Sequence, residues 1–166
     1  MPFLRVGDLS KRSSALFVDR SLTRGNTLDE KDVAISLDGT IGVVRYGLSG
    51  AYSGGIRKVV PTGQHCGRAF LYQYLRSDYA QDVIRAHANG ATILHAGSSI
   101  QHLKIAVPPA KLLRAFEEVA DPMMREVILL EKTNSILRAT RHLLMSKLIS
   151  GELDVLVLAE QEARAE

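Results

Sequence analysis

The sequence contains very little cysteine: Cys66 is the single one among 166 residues. One thiol cannot form an internal disulfide, so a disulfide-stapled secreted fold is excluded and a reducing compartment is favoured. The sequence also lacks an apolar run of about 18 residues and a charged-then-apolar leader pattern. We therefore expect a cytoplasmic protein without a membrane partner.

Catalytic motifs are missing as well. The sequence has no P-loop, no glycine-rich dinucleotide fingerprint, no amino-methyltransferase motif and no nuclease core. Its five histidines lack the spacing of metal ligands, and His65-Cys66 is the only adjacent pair of such residues. Asp29, Glu30 and Asp32 cluster ahead of a predicted strand, which is more typical of a solvated turn than of an acid–base pair. The sequence therefore predicts a protein without catalytic residues, metal or cofactor.

The positive charge is unevenly distributed along the chain, whose net charge is +3. Residues 1–110 carry 13 lysines and arginines against 8 aspartates and glutamates, whereas residues 111–166 carry 8 against 10. This asymmetry is typical of a domain that binds polyanions and is followed by a tail with another role. An ordinary random distribution of charged residues would also produce it.

Residues 1–109 have the pattern of a mixed α+β domain with mainly antiparallel pairing. Asp38-Gly39 lies between two alternating apolar runs, 33–37 and 41–46, which is the strongest local signal for a β-hairpin. Further predicted elements are strands at 55–61, 93–94 and 103–107 and a helical segment at 68–88 that Asn89-Gly90 ends.

The start of the sequence, residues 3–8, has the pattern of a strand that enters a turn. A domain does not normally open in the middle of a sheet. We therefore expect a fragment or a shortened gene product, and a domain that is truncated at its N-terminal end.

The sequence after Pro109 is helical. We predict a short helix over 110–120 and a new helix from Asp121-Pro122, because Asp is a favoured N-cap and Pro a favoured first helical residue. The second helix should run to Ile149, where Ser150-Gly151 supplies the stop. It spans about 28 residues, roughly 42 Å, which is too long for a small domain to cover on one side. Residues 110–155 thus form a helical region, followed by a polar tail over 156–166.

Apolar residues recur at heptad spacing along this region, which predicts a coiled-coil type of helix. Nine of the eleven positions in the seam are apolar, and packing of the helix on its own domain is the alternative. The seam begins with Leu113, Phe116 and Ala120. Its predicted dimerisation and docking residues are Met123, Val127, Leu130, Asn134, Leu137, Arg141, Leu144 and Leu148.

Basic, aromatic and neutral polar side chains concentrate in the loop-rich part of the chain. Lysine and arginine on loops suit phosphate oxygens, and neutral donors and acceptors suit base edges. Each residue alone is more typical of a solvated surface group. The candidate DNA-binding residues are Lys11, Arg12, Arg24, Arg45, Tyr46, Tyr52, Arg57, Lys58, Ser98, Ser99, Gln101 and His102.

Four segments occur in an order that resembles a known family. They are Arg5-Val6-Gly7-Asp8-Leu9, the hairpin over 35–42, Gly90-x-Thr92-Ile93 followed by Leu103-x-Ile105-x-Val107-Pro108-Pro109, and the closing Leu148-Ile149-Ser150-Gly151-Glu152-Leu153. Over residues 3–155 the chain is similar to the target-recognition domain and spacer helix of type I restriction-modification specificity subunits.

The resemblance implies sequence-specific binding of double-stranded DNA by a non-catalytic subunit. Complete subunits of this family have two recognition domains, and two antiparallel helices set the spacing of the half-sites and dock the modification subunits, which in turn bring the restriction subunit. One domain and one helix imply a half-subunit that self-associates through the helix.

The chain departs from the family after Pro108-Pro109, where an acidic, glutamine-containing run is usual and Ala110-Lys111-Leu112-Leu113-Arg114 stands instead. The alternative function is a protein–protein assembly module whose recognition domain no longer binds DNA. A third reading, an enzyme of unknown type, rests only on scattered residues such as His65 and Cys66.

Overall fold

The structure is a computed structural model that describes residues 1–11, 14–61 and 66–153. The chain divides into two compact units, Met1–Arg125 and Glu126–Glu166. The predicted 156–166 tail lies outside the described residues. The first unit is α+β, as the sequence predicts, with two small sheets and several helices.

The central sheet contains three antiparallel strands in the order β4-β3-β6, where β3 is Val33–Ser36, β4 is Val44–Tyr46 and β6 is Ile56–Val59. The predicted hairpin is confirmed, because Val33 pairs with Tyr46 and Ile35 with Val44. Its loop is longer than predicted and covers 37–43. All four residues of β3 are buried, so this strand forms the centre of the domain.

The second sheet has the order β1-β5-β2, with β1 at Phe3–Leu4, β2 at Thr27–Leu28 and β5 at Gly50–Tyr52. The predicted early strand is confirmed, and β1 pairs in parallel with β5. The predicted turn after it is instead a short helix, α1, at Val6–Lys11. Asp8 accepts a hydrogen bond from the Arg5 amide at 2.9 Å, which satisfies an amide at the start of this helix.

One core cluster joins the two sheets. Its buried residues are Leu4, Leu9, Leu28, Ala34 and Ile56. Since these side chains come from β1, α1, β2, β3 and β6, burial of their apolar surface is what holds the short strands together.

The helical segment after β6 consists of two helices rather than one, α2 at Arg68–Arg76 and α3 at Asp78–Ala86. Ser77 separates them because it is extended, with ψ at 151°, and its hydroxyl caps α3 by accepting from the Ala80 amide. The buried side chains of this pair are Ala69, Tyr72, Leu75, Ala80 and Ile84.

The strands predicted at 93–94 and 103–107 are wrong. Ile93 lies in a bend, Leu94 is irregular and both are exposed, 97–102 form the 3₁₀ helix Gly97–His102, and 103–107 have no strand partner. The physical reason is that backbone groups of the 93–96 segment bond to the hairpin loop: the Leu94 carbonyl accepts from the Gly39 amide at 2.8 Å, and the Ala96 amide donates to the Leu37 carbonyl at 2.7 Å. The 103–107 segment is instead tied to α2, whose Tyr74 hydroxyl donates to the Lys104 carbonyl at 3.0 Å.

The C-terminal region is one continuous helix, α4, over Ala110–Ile149, so the predicted break at Asp121-Pro122 is wrong. Asp121 does not cap a new helix, because its carboxylate oxygens accept from Tyr46 and Arg125 side chains. Pro122 lies inside the helix and leaves the carbonyl four residues earlier without its usual donor. Leu113 and Met124 are buried within the first unit, one on each side of this proline along the helix.

The predicted stop of the helix is confirmed. Gly151 has φ at +72°, a left-handed conformation that favours glycine, and the amides of Gly151 and Leu153 donate to the last helical carbonyls. The helical part of the second unit, from Glu126 onward, exposes most of its side chains. No helix among the described residues is both long enough and apolar enough to cross a membrane.

Candidate nucleic-acid interface

The first part of the candidate interface is a loop that precedes β2. It contains the 3₁₀ helix Arg20–Thr23, capped by Asp19, whose carboxylate accepts from the Ser21 amide at 2.8 Å and the Ser21 hydroxyl at 2.7 Å. Arg24 follows in the left-handed region with φ at +49°, and the Asn26 amide donates to the Thr23 carbonyl at 2.9 Å. These hydrogen bonds fix the direction in which the loop presents its side chains.

This loop and the end of β5 enclose a cavity of about 220 Å³. Two of the predicted DNA-binding residues, Arg24 and Tyr52, lie in its wall. Arg57 is not in this wall: it lines a second, larger cavity, and its guanidinium donates to the carbonyls of Gly54 and Ile56. The other residues that line the cavity of about 220 Å³ are Phe3, Val18, Leu22, Thr23, Asn26, Ala51, Ser53 and Gly54.

The described residues that line this cavity include one arginine, one asparagine, hydroxyl residues and two aromatic residues, beside three aliphatic ones, and no aspartate or glutamate. That composition suits an anionic ligand that also offers an edge for hydrogen bonds. Sequence reasoning missed Asn26 and Ser53, because nothing in their local pattern indicates that they meet across the cavity.

In the structure, the side chains of four predicted DNA-binding residues contact other parts of the protein. Tyr46 is only 6% exposed, and its hydroxyl contacts Asp121 at 3.4 Å. Burial, and then the nearby Asp121 carboxylate, raise the pKa of Tyr46. Ser99 is fully buried and its hydroxyl donates to the Ala96 carbonyl at 2.6 Å. Tyr46 and Ser99 therefore cannot reach DNA without a change in the fold, and their assignment is corrected.

Arg45 and Lys58 are engaged inside the domain. Arg45 donates from Nε to the Leu9 carbonyl at 2.7 Å, and Lys58 Nζ lies 2.5 Å from the buried carboxylate of Asp32. Each cation thus satisfies an internal acceptor. Their role as DNA contacts stays a prediction.

Asp32 is also not the solvated turn residue that the sequence predicts, since it is only 4% exposed. Burial alone would raise its pKa, but the Asp29 amide, the Lys58 ammonium and the Arg68 guanidinium together lower the pKa of Asp32. The turn before β3 is therefore held by a buried ionised carboxylate.

The second part of the candidate interface is the 3₁₀ helix Gly97–His102, where Ser98, Gln101 and His102 are exposed. The His102 ring stacks on His87, with centroids 3.8 Å apart and planes 14° apart, and Gln101 Nε2 lies 3.3 Å from His102 Nε2. Sequence reasoning missed His87 because it precedes this helix by a loop.

The underside of this 3₁₀ helix borders a larger, mostly apolar cavity of about 590 Å³ between the central sheet and α2, whose lining also includes Arg57 and Lys58. Gly97 and Ile100 line that cavity, which explains why their neighbours Ser98 and Gln101 point outward. The apolar contacts thus position the polar side chains on the exposed face.

The remaining predicted positions fall outside these two clusters. Lys11 is exposed at the end of α1, and Arg12 lies outside the described residues, as does His65. Cys66 is half-buried with a free thiol. Among the described residues, no group of three histidine, cysteine or carboxylate side chains is arranged to hold a metal ion.

The predicted seam residues divide between the two units. In the first, Leu113 is buried while Phe116 lies edge-to-face with Phe70 of α2, at a centroid distance of 6.3 Å. Met124 rather than Met123 is buried, and Met123 is 64% exposed. In the second unit all predicted seam positions are exposed: Val127, Leu130, Asn134, Leu137, Arg141, Leu144 and Leu148.

No protein-family model matches the chain, and no curated protein matches it either.

Proposed function

We propose that the chain recognises double-stranded DNA sequence-specifically, as the specificity half-subunit of a type I restriction-modification system. The observation that carries this proposal is that Arg24 and Tyr52 line one cavity together, and that the described residues of its wall include no aspartate or glutamate. These two residues come from separate segments of the sequence, and each is a predicted DNA contact.

Arg24 and Arg57 suit phosphate oxygens, because an exposed guanidinium donates in a fork that matches them. Tyr52 and Asn26 offer a ring and an amide beside Arg24. In this proposal the cavity positions the DNA backbone and supplies most of the salt-dependent affinity.

Sequence discrimination is assigned to the exposed end of Gly97–His102. Gln101 matches the donor–acceptor pattern of an adenine edge, and Ser98 and His102 can donate to or accept from a base. The stack of His102 on His87 holds the Gln101 side chain close to one position, because Gln101 contacts the outer ring.

The helical part of the second unit supports self-association and docking. Leu130, Leu137 and Leu144 form one exposed apolar stripe at heptad spacing. A second stripe, Leu129, Ile136 and Leu143, is also exposed and is rotated by about 100°, the angle between successive helical residues. We assign the first stripe to a second copy of the chain and the second to a modification subunit, which brings the restriction subunit in the cytoplasm.

The test is the salt dependence of binding to a duplex whose sequence is randomised at its centre, measured by fluorescence anisotropy. The proposal expects log affinity to fall linearly with log salt, and each of Arg24→Ala and Arg57→Ala to reduce the slope by about 0.9. An affinity that does not change with salt would contradict it.

A protein–protein assembly module is the second candidate, and the extent of exposed apolar surface on the helix favours it. It predicts that the chain binds a modification subunit through the helix without any preference among DNA sequences. Retained binding to that subunit by the chain with Arg24→Ala and Arg57→Ala, together with no DNA binding by the wild type, would favour this candidate.

A further inference from the structure

The loop over 19–24 exposes a large aliphatic side chain at its tip. Leu22 is 74% exposed, although leucine is among the residues most often found buried. It is the third residue of the 3₁₀ helix Arg20–Thr23, and it also forms one edge of the cavity that holds Arg24 and Tyr52. A solvent-facing leucine therefore lies directly beside the proposed phosphate contacts.

The loop presents this leucine in a fixed direction. The Leu22 amide donates to the Asp19 carbonyl at 3.1 Å, and the Thr23 hydroxyl donates to the Arg20 carbonyl at 2.9 Å. The Asp19 side chain is occupied by Ser21, so the one carboxylate of the loop is used within it. Such internal bonding lowers the entropy lost when a partner is bound.

Arg20 and Arg24 lie two residues before and two residues after Leu22, and both are exposed. An apolar tip between two guanidinium groups has the chemistry of a side chain that enters a base step while its neighbours hold phosphates on both sides. A hydrophobic protein pocket would match the leucine, but it would leave Arg20 and Arg24 to be paired or desolvated.

We propose that Leu22 is a wedge that inserts between adjacent base pairs from the minor groove and kinks the bound duplex. This inference rests on the proposed DNA-binding function and adds how the chain deforms its site. Arg20 and Arg24 hold phosphates on both sides of the kinked step, and these contacts offset the free energy that unstacking costs.

The test compares the wild type, Leu22→Ala and the control Val119→Ala. Val119 is an exposed aliphatic residue, 63% accessible, on α4. The probe is a duplex enriched by the wild type from a randomised pool, with fluorophores at its ends and 2-aminopurine at successive positions. Energy transfer between the ends reports the bend, and 2-aminopurine emission reports unstacking.

For the wild type we expect the ends to approach and emission to rise at one base step. Leu22→Ala should abolish both signals and weaken binding on the order of tenfold, whereas Val119→Ala should retain both. Because Leu22 is exposed, its truncation does not remove core packing, and circular dichroism should show an unchanged fold.

A Leu22→Ala variant that still bends and unstacks the duplex overturns the wedge and leaves the proposed function standing. Failure of the wild type to retain any duplex overturns both. A variant that binds and bends DNA normally but loses self-association would show that the tip contacts protein, which also overturns the wedge.

Discussion

Glu117 of α4 accepts a hydrogen bond from the backbone amide of Phe70 at 2.8 Å, across 47 residues of sequence. The same carboxylate also accepts from the Ala69 amide at 3.3 Å. The first amides of α2 have no intrahelical partner, and Gly67, at the N-cap, has no side chain to supply one. A residue of α4 thus caps α2 within the first unit.

Removal of this cap should destabilise the first unit. We expect Glu117→Ala to lower the free energy of unfolding by roughly 1 kcal/mol, because two amides lose an acceptor and the helix loses a negative charge at its N-terminus. Urea unfolding followed by circular dichroism measures the difference. Glu118→Ala, at an exposed neighbouring position, is the control and should change stability little.

The steric relation between Glu117 and Gly67 gives a second, coupled prediction. A Cβ on Gly67 would collide with the Glu117 side chain, so Gly67→Ala should displace the carboxylate and destabilise the wild type. In a Glu117→Ala background the collision is absent, and the same change should cost much less. Equal losses of stability in both backgrounds, measured in a double-mutant cycle, would contradict the coupling.

Asp32 should make the free energy of unfolding decrease as the pH is lowered into the acid range. Because the folded state lowers its pKa, the carboxylate contributes stability above its unfolded pKa, near 3.8, and loses it as pH falls through the lower folded value. Asp32→Asn should therefore be less stable at neutral pH by about 2 kcal/mol and should lose less stability on acidification. Urea midpoints across that pH window measure both effects, and Asp82→Asn, an exposed carboxylate, is the control.

The second unit should self-associate through the first apolar stripe. Leu137→Asp places a charge in the middle of that stripe, and we expect the oligomer seen by analytical ultracentrifugation to dissociate. Ser135→Asp adds the same carboxylate at an exposed position away from the stripe and should leave the oligomer intact. A chain whose mass is concentration-independent without either substitution would contradict self-association.

Substitution of two polar residues of the 3₁₀ helix Gly97–His102 should change different properties of the protein, DNA selectivity for Gln101 and stability for Ser99. Gln101→Ala should reduce the preference among DNA sequences without changing stability, because its side chain is exposed. Ser99→Ala should lower the free energy of unfolding by about 1 kcal/mol, because the Ser99 hydroxyl is buried and bonded to Ala96. Competition binding and urea unfolding separate the two outcomes.

Local patterns predict the elements whose cause is local. The Asp38-Gly39 hairpin and the Ser150-Gly151 stop follow from turn and cap chemistry within a few residues, and both are confirmed. The strands predicted at 93–94 and 103–107 fail because a carbonyl in each segment bonds instead to a group that is distant in sequence, the Gly39 amide and the Tyr74 hydroxyl, which no short window of sequence contains.

The residues of the candidate site also divide into those that the local sequence predicts and those whose roles depend on distant partners. Exposed loop residues such as Arg24 and Gln101 could be proposed from residue type alone. The roles of Tyr46 and Lys58 depend on partners that are 75 and 26 residues distant, Asp121 and Asp32, so burial and pairing decide them. A distant partner also explains why no new helix begins at Pro122. Asp121 pairs with Tyr46 and does not act as the predicted N-cap.

The most direct test of sequence-specific recognition is selection of bound duplexes from a randomised pool at physiological salt, followed by sequencing. We expect one enriched motif, repeated as two inverted half-sites because two copies of the chain pair through their helices. Leu137→Asp should retain the half-site motif and lose the fixed spacing. Recovery of a pool with no enriched motif, from a protein that is folded by circular dichroism, would contradict the proposed function.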